Sequence, residues 1–289
     1  MELFVNNLTV IDFSFLDVTR GLVGESLIVD VSLNGELDGQ AMVMDFSKIK
    51  KVIKKFLDES VDHALVVPYA HPQVKYHLQG ATAEVILRDE SGDVECFVAG
   101  PSSSILPVKK MRIDKKTLEQ WINKEVKKIL PDNIDSVSVT LREEHIGGHF
   151  YHYAHGLKKH AGNCQRIAHG HRSAIRIFIE GERNPSWEMF WAERWRDCYL
   201  MSEGDVSDIN KLSSNAQSIY NDRLIASSYT SSQGNFEILM RHGKVEILPH
   251  ETTIERIAQY IKQEIHYLNP QLKDVSVYAY EGIEKGAFV

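Results

Sequence analysis

Apolar and polar positions alternate with period two through much of this chain, interrupted by stretches whose apolar residues recur at helical spacing. In FSKIKKVIKKFLDES (46–60) the residues Ile49, Val52, Ile53 and Phe56 share one helical face, and Asp45 stands before them as an N-cap. Helical spacing returns in LEQWINKEVKKI (118–129) and IERIAQYIKQEI (254–265). Each is followed by a Pro-containing turn and an alternating strand that ends in Glu, at Glu143 and at Glu281. That recurrence predicts an internal repeat. It extends upstream: EVILRDESGDVECFV (84–98) matches FEILMRHGKVEIL (236–248), both read as hairpins, and SLIVDVSLNGE (26–36) matches SAIRIFIEGE (173–182). The expected halves are residues 1–145 and 146–289. Each reads as two antiparallel strands, a helix, an inserted hairpin, a second helix and a closing strand, which makes the fold class α+β.

Composition narrows the function classes. With 289 residues, 43% hydrophobic and 25% charged, the chain has ordinary globular character, which excludes disordered and fibrous readings. A net charge of -7 argues against a nucleic-acid partner held by a general basic field. No run approaches the roughly 18 apolar residues that would span a bilayer, and Met1–Val10 lacks the layout of a secretory signal. The expectation is a cytoplasmic protein without a membrane partner. Cys96, Cys164 and Cys198 are odd in number and irregularly spaced, so at least one thiol is free.

Histidines cluster at the start of the second half, at 145, 149, 152, 155, 160, 169 and 171. His169 and His171 flank Gly170 at the opening of a predicted strand, where side chains two apart point the same way and can reach one ion. His155, on the preceding strand of a hairpin, is placed to supply a third nitrogen. Three neutral imidazoles with an open fourth position describe a catalytic zinc site. Taken alone, the His-Gly-His motif also fits surface histidines.

The order YHYAHGL (151–157), Cys164, HGH (169–171) and a strand running to Gly-Glu resembles the 6-pyruvoyl-tetrahydropterin synthase and QueD-type 6-carboxy-tetrahydropterin synthase family. The resemblance implies two tandem tunnelling-fold (T-fold) repeats, each an antiparallel four-stranded sheet with two helices plus an inserted hairpin. It implies that His155, His169 and His171 hold Zn2+ and that Cys164 is the catalytic thiol. The family's Asp-His pair is matched by Asp62-His63, within AMVMDFSKIKKVIKKFLDESVDHALVVP (41–68). The second half offers only NDRLIASS (221–228), with Asp222 followed by Arg223, whereas the first half has LVGES (22–26), with Val23 and Glu25 in place of the zinc histidines. Each half lacks what the other keeps, so one shared site is expected, formed within one chain or between chains.

By the same resemblance, Asp62 orients His63 as a general acid or base, and Glu143 or Glu281 grips the pterin ring. Thr253 matches a residue near the pterin and reads equally as a helix N-cap. Lys158 and Lys159 are candidates for phosphate contacts or plain surface lysines. The implied substrate is 7,8-dihydroneopterin triphosphate, with triphosphate eliminated by a lyase that assembles as a homo-oligomer. The product is a 6-pyruvoyl or a 6-carboxy tetrahydropterin, on routes to tetrahydrobiopterin or queuosine. Two other classes fit the same residues: a non-catalytic T-fold protein binding a pterin or purine, and a zinc cyclohydrolase-like hydrolase with Cys164 as an incidental core thiol. Cys96 and Cys198 read as structural.

Overall fold

The first half opens with two long alternating strands, β1 (Glu2–Asp17) and β2 (Gly21–Gly35), joined by a tight turn. They are followed by α1 (Phe46–Ser60), β3 (Leu65–Pro68), β4 (Val74–Gln79), β5 (Thr82–Arg88), β6 (Val94–Pro101), β7 (Ile105–Val108), α2 (Lys115–Lys127) and β8 (Ile134–Arg142). The second half continues with β9 (Phe150–His155), β10 (His169–Ile179), β11 (Glu182–Arg183), α3 (Pro185–Arg194), β12 (Cys198–Ser202), α4 (Ser214–Ile219), β13 (Leu224–Ser231), β14 (Gly234–Arg241), β15 (Val245–Leu248), α5 (Ile254–Leu268), β16 (Val275–Tyr280) and β17 (Gly286–Phe288). The computed structural model describes residues 1–289.

The α1 and α2 helices form where the apolar spacing predicts them. Asp45 accepts from the backbone of Ser47 and Lys48, and Asp114 closes a capping box with Thr117, which satisfies amides that a helix start leaves bare. Ile49, Ile53 and Leu57 of α1 join Leu118, Ile122 and Val126 of α2 in one core with Ile11, Phe13 and Val29 of the sheet. In the second half Ile257, Ile261 and Ile265 of α5 pack on Trp191, Trp195, Ile175 and Ile177.

Neither half is a four-stranded antiparallel sheet. The first half builds a five-stranded mixed sheet in the order β7-β3-β1-β2-β8, with β3 parallel to both β1 and β7. The second builds a seven-stranded one along β15-β12-β9-β10-β16-β17, with β11 paired to β10 and β12 parallel to both β9 and β15. The helices α1 and α3 are the crossovers that allow this, since β3 and β12 each come after a helix and lie parallel along the ends of β1 and β9.

The inserted segments are also not two separate hairpins. Strands β4, β5 and β6 of the first half join β13 and β14 of the second in one antiparallel sheet, order β13-β14-β6-β5-β4, with Leu239 opposite Phe97 and Ile238 opposite Val98. Residues 236–248 are therefore not a hairpin matching 84–98. A 3-10 turn at His242–Lys244 sends the chain out of this sheet to pair β15 with β12, as the turn at Ser102–Ser104 sends β7 to β3. Alternation marks both segments as strands but carries no information on which sheet each joins.

Where the β1-β2 and β9-β10 hairpins meet, no side chain separates the backbones. A Cβ on Gly24 would lie 1.9 Å from the Tyr153 carbonyl oxygen, and one on Gly170 would lie 2.6 Å from the Gly24 Cα. Glycine is required at both positions because backbone meets backbone there. No helix is long and apolar enough to cross a membrane.

Candidate metal and proton-transfer site

The antiparallel register of β9 and β10 sets His155 directly opposite His169, and the pleat turns His171 to the same face as His169. All three side chains are buried, and each offers a nitrogen within 4.8 Å of the others. His155 Nδ1 faces the Thr252 carbonyl at 3.0 Å and its hydroxyl at 3.1 Å, and His169 Nδ1 faces the Arg166 carbonyl at 2.8 Å. A carbonyl can only accept, so Nδ1 carries the proton in both rings and Nε2 keeps its lone pair. His155 Nε2 and both nitrogens of His171 have no hydrogen-bond partner. Burial, reinforced by the neighbouring imidazoles, holds His155 and His169 well below the usual histidine range, so both are neutral donors. Converging buried nitrogens, with His155 Nε2 and both nitrogens of His171 without a hydrogen-bond partner, fit a metal ion in this triad.

Beside the triad stands a thiol-imidazole-carboxylate line. The 3-10 turn Gly162–Gln165 presents Cys164, whose Sγ lies 3.5 Å from His63 Nε2. His63 Nδ1 lies 2.7 Å from Asp62 Oδ2, and Asp62 Oδ1 accepts the backbone N–H of Asp12 at 2.9 Å. The His63 N–H donates to the Asp12 carbonyl at 2.6 Å, which holds His63 at a φ of 56° in the left-handed region. Burial works against charge on His63, yet the hydrogen bonds to Asp62 and Cys164 outweigh it and push its pKa up to about 10. Its ring centre is 5.1 Å from that of His169, so the two groups share a wall. His63, Cys164 and His169 also lie close enough together to hold an ion, but an imidazole held protonated has no lone pair to offer a metal. Residues 62 and 63 of the first half thus meet residues 155, 164, 169 and 171 of the second within one chain.

The model of the 6-pyruvoyl tetrahydropterin synthase family matches twice in tandem, over residues 21–152 and 146–289. The chain belongs to that family. A protein of Methanocaldococcus jannaschii, provisionally described as a 6-carboxy-5,6,7,8-tetrahydropterin synthase, is 45% identical over 66 residues, which cover 22% of this chain and 40% of that protein. Solved structures of 6-pyruvoyl tetrahydropterin synthase from Plasmodium vivax and Plasmodium falciparum align at 16% identity and a TM-score of 0.40, covering 49% of this chain and 90% of theirs. That likeness is too distant to carry an argument.

Strand register shows how the two family copies correspond. Ser14 pairs with Gly24 and with Leu65, as Ala154 pairs with Gly170 and with Tyr199. Val23 and Glu25 hence occupy the places of His169 and His171. His63 stands two residues before Leu65, as Asp197 stands before Tyr199, and Asp197 shares its left-handed backbone with a φ of 54°. The counterpart of Asp62-His63 is therefore Arg196-Asp197, and not Asp222-Arg223. Asp222 precedes β13, and Arg223 pairs with Asp93 at 2.7 Å in the turns that lead into β13 and β6. Where one copy sets Cys164 against His63, the other sets Arg20 against Asp197, two hydrogen bonds of 2.6 and 3.0 Å across the halves. A cleft of about 450 Å³ opens beside Asp197, lined in part by Arg20, His149, Phe150 and His152.

The two closing-strand glutamates are separated by the same symmetry. Glu281 belongs to the copy that carries the triad, and its charge bears on Tyr153, whose ring touches those of His155 and His171, and on Lys285. Glu143 lies with Glu25 and Arg20 in the other copy, half exposed and 3.7 Å from Lys115. Thr253 is the N-cap residue of α5 but its side chain makes no capping hydrogen bond, while its neighbour Thr252 holds His155. Lys158 pairs with Asp205, and Lys159 with Glu251 at 2.6 Å, so neither is an isolated cation. Cys96 and Cys198 are buried in β6 and β12, and burial pushes the Cys198 thiol up to about 12. Sequence reasoning missed Thr252, Arg166 and Asp12. The last had a signal, as the acidic residue inside the apolar run VIDFSFL (10–16).

Proposed function

We propose that this protein is a zinc-dependent pterin synthase that acts on 7,8-dihydroneopterin triphosphate, eliminates triphosphate as a lyase, and forms a 6-carboxy or 6-pyruvoyl tetrahydropterin. The observation that carries this reading is the line Cys164, His63, Asp62 beside His155, His169 and His171, assembled from halves that each lack the other's part. The three histidines would hold zinc, which when bound supplies a Lewis acid for the side-chain oxygens of the substrate. Asp62 fixes the His63 tautomer by accepting from Nδ1, so that Nε2 faces the reacting groups. Cys164 as thiolate removes a proton from substrate carbon, and His63 as imidazolium returns one to oxygen. Glu281, on the triad's side, is the carboxylate suited to two parallel N–H bonds from the pterin 2-amino group and ring nitrogen. Strand β8, an edge of the first sheet, offers an unpaired edge for assembly into a homo-oligomer.

Anaerobic incubation of zinc-loaded protein with 7,8-dihydroneopterin triphosphate, followed by mass, tests the reading and names the product. Conversion with triphosphate release is expected, and C164A and H63A should each slow it by at least about 100-fold, the usual scale for a proton-transfer group. Bound pterin and zinc with no turnover would leave a binding protein, and release of formate would mark a cyclohydrolase-like hydrolase.

A further inference from the structure

The three histidines of the triad differ in what their second nitrogen faces. For His155 and His169 it is an uncharged oxygen of the second half, from Thr252 and from Arg166. For His171 it is a carboxylate of the first half, with Asp12 Oδ1 3.3 Å from Nδ1. His171 has no aligned hydrogen bond at either nitrogen, so this approach is an electrostatic contact in the structure as it stands. Asp12 is 3% exposed, and its carboxylate also accepts from Ser26 Oγ at 2.5 Å and from Lys285 Nζ at 2.8 Å. The backbone of the same residue grips both Asp62 and His63, as described above.

We propose that Asp12 is a positioning residue for the metal site: through His171 it orients and charges a ligand set whose histidines all belong to the other half. This rests on the reading of the triad as a metal site. A buried dication among three neutral imidazoles needs negative charge nearby, and Asp12 is the carboxylate that faces a ligand ring. A carboxylate behind a ligating imidazole fixes the ring's tautomer and raises its basicity. The first half has lost its own histidines at these positions, yet it contributes charge to the histidines of the second. Lys285 competes for the same carboxylate and tempers its effect.

The test is metal affinity in the full chain, measured with zinc alone by competition against a chromophoric chelator, and with cobalt(II) by its visible absorption. D12N should bind zinc about 10- to 100-fold more weakly and shift the cobalt spectrum, the scale on which such outer partners act. K285M, which removes the competing cation, should bind zinc several-fold more tightly. Unchanged affinity and an unchanged cobalt spectrum in a folded D12N would overturn the assignment while leaving the metal site intact. Should D12N fail to fold, weaker zinc binding by K285M overturns it instead. Unaltered protein that takes up neither ion would overturn the metal site itself, and this proposal with it.

Discussion

Glu25 occupies the position that the second copy gives to His171, and the exchange leaves a carboxyl group in a pocket built for an imidazole. Burial raises its pKa to about 7, against the opposing pull of the Ser26 amide and Arg172. The unfolded chain releases this proton near pH 4.5, so between 4.5 and 7 the folded state binds the extra proton and stability falls as pH rises. Above pH 7 the folded protein carries a buried charge at a cost on the order of 3 kcal/mol. E25Q keeps the acceptor for Ser26 and should melt higher than the parent at pH 8, with the difference vanishing below pH 4.5. A melting temperature at pH 8 equal to the parent's would refute the burial account. At this scale the sequence was most legible where a residue type is itself chemistry: the structure brings His155, His169 and His171 together and sets Cys164, His63 and Asp62 in a line beside them. Asp12 and Thr252 were hidden because their parts come from neighbours 159 and 97 positions away, a relation that no local pattern carries.

At the scale of elements, the helices α1, α2 and α5, with their marked apolar faces, were read well, whereas α3 and α4, which make three helices in the second half where two were expected, were missed and the sheets were read poorly. Helical faces such as that of α1 are local, since period and cap lie within a few residues, whereas a strand's partner is set by the whole chain path. Hence the parallel placement of β3 and β12 went unseen, and Arg196-Asp197 was overlooked in favour of Asp222-Arg223. The crossing of the β2 and β10 hairpins makes a sharp prediction. In G24A the new methyl would meet the Tyr153 carbonyl and the His171 amide, at 1.9 and 2.5 Å, and neither backbone atom can swing aside. We expect a loss of at least about 3 kcal/mol in denaturant unfolding, at the upper end of overpacking costs. G147A, where the added methyl meets nothing within 4 Å, should stay within about 0.5 kcal/mol of the parent. Equal stability of the two variants would mean that the hairpins can part without consequence.

For the whole molecule, the shared sheet makes each half incomplete. Core residues Leu65 and Val98 of the first half pack in one cluster with Ala154, Tyr199 and Ile238 of the second. Residues 1–145 or 146–289 produced alone should aggregate or lack a cooperative melt, because a strand edge and an apolar face stay uncovered. Co-expressed, the two pieces should purify together and take up zinc. A single half that is soluble, monomeric and cooperatively folded would contradict this. The 3.5 Å approach of Cys164 to His63 has a further consequence at this scale. A site whose halves arrive on separate molecules empties as the solution is diluted, but here the chain and the β6-β14 ladder keep the partners at a fixed effective concentration. Turnover per molecule should therefore hold constant down to the lowest protein concentration that can be assayed, so scarcity of the protein in a cell would lower its output in proportion and no faster.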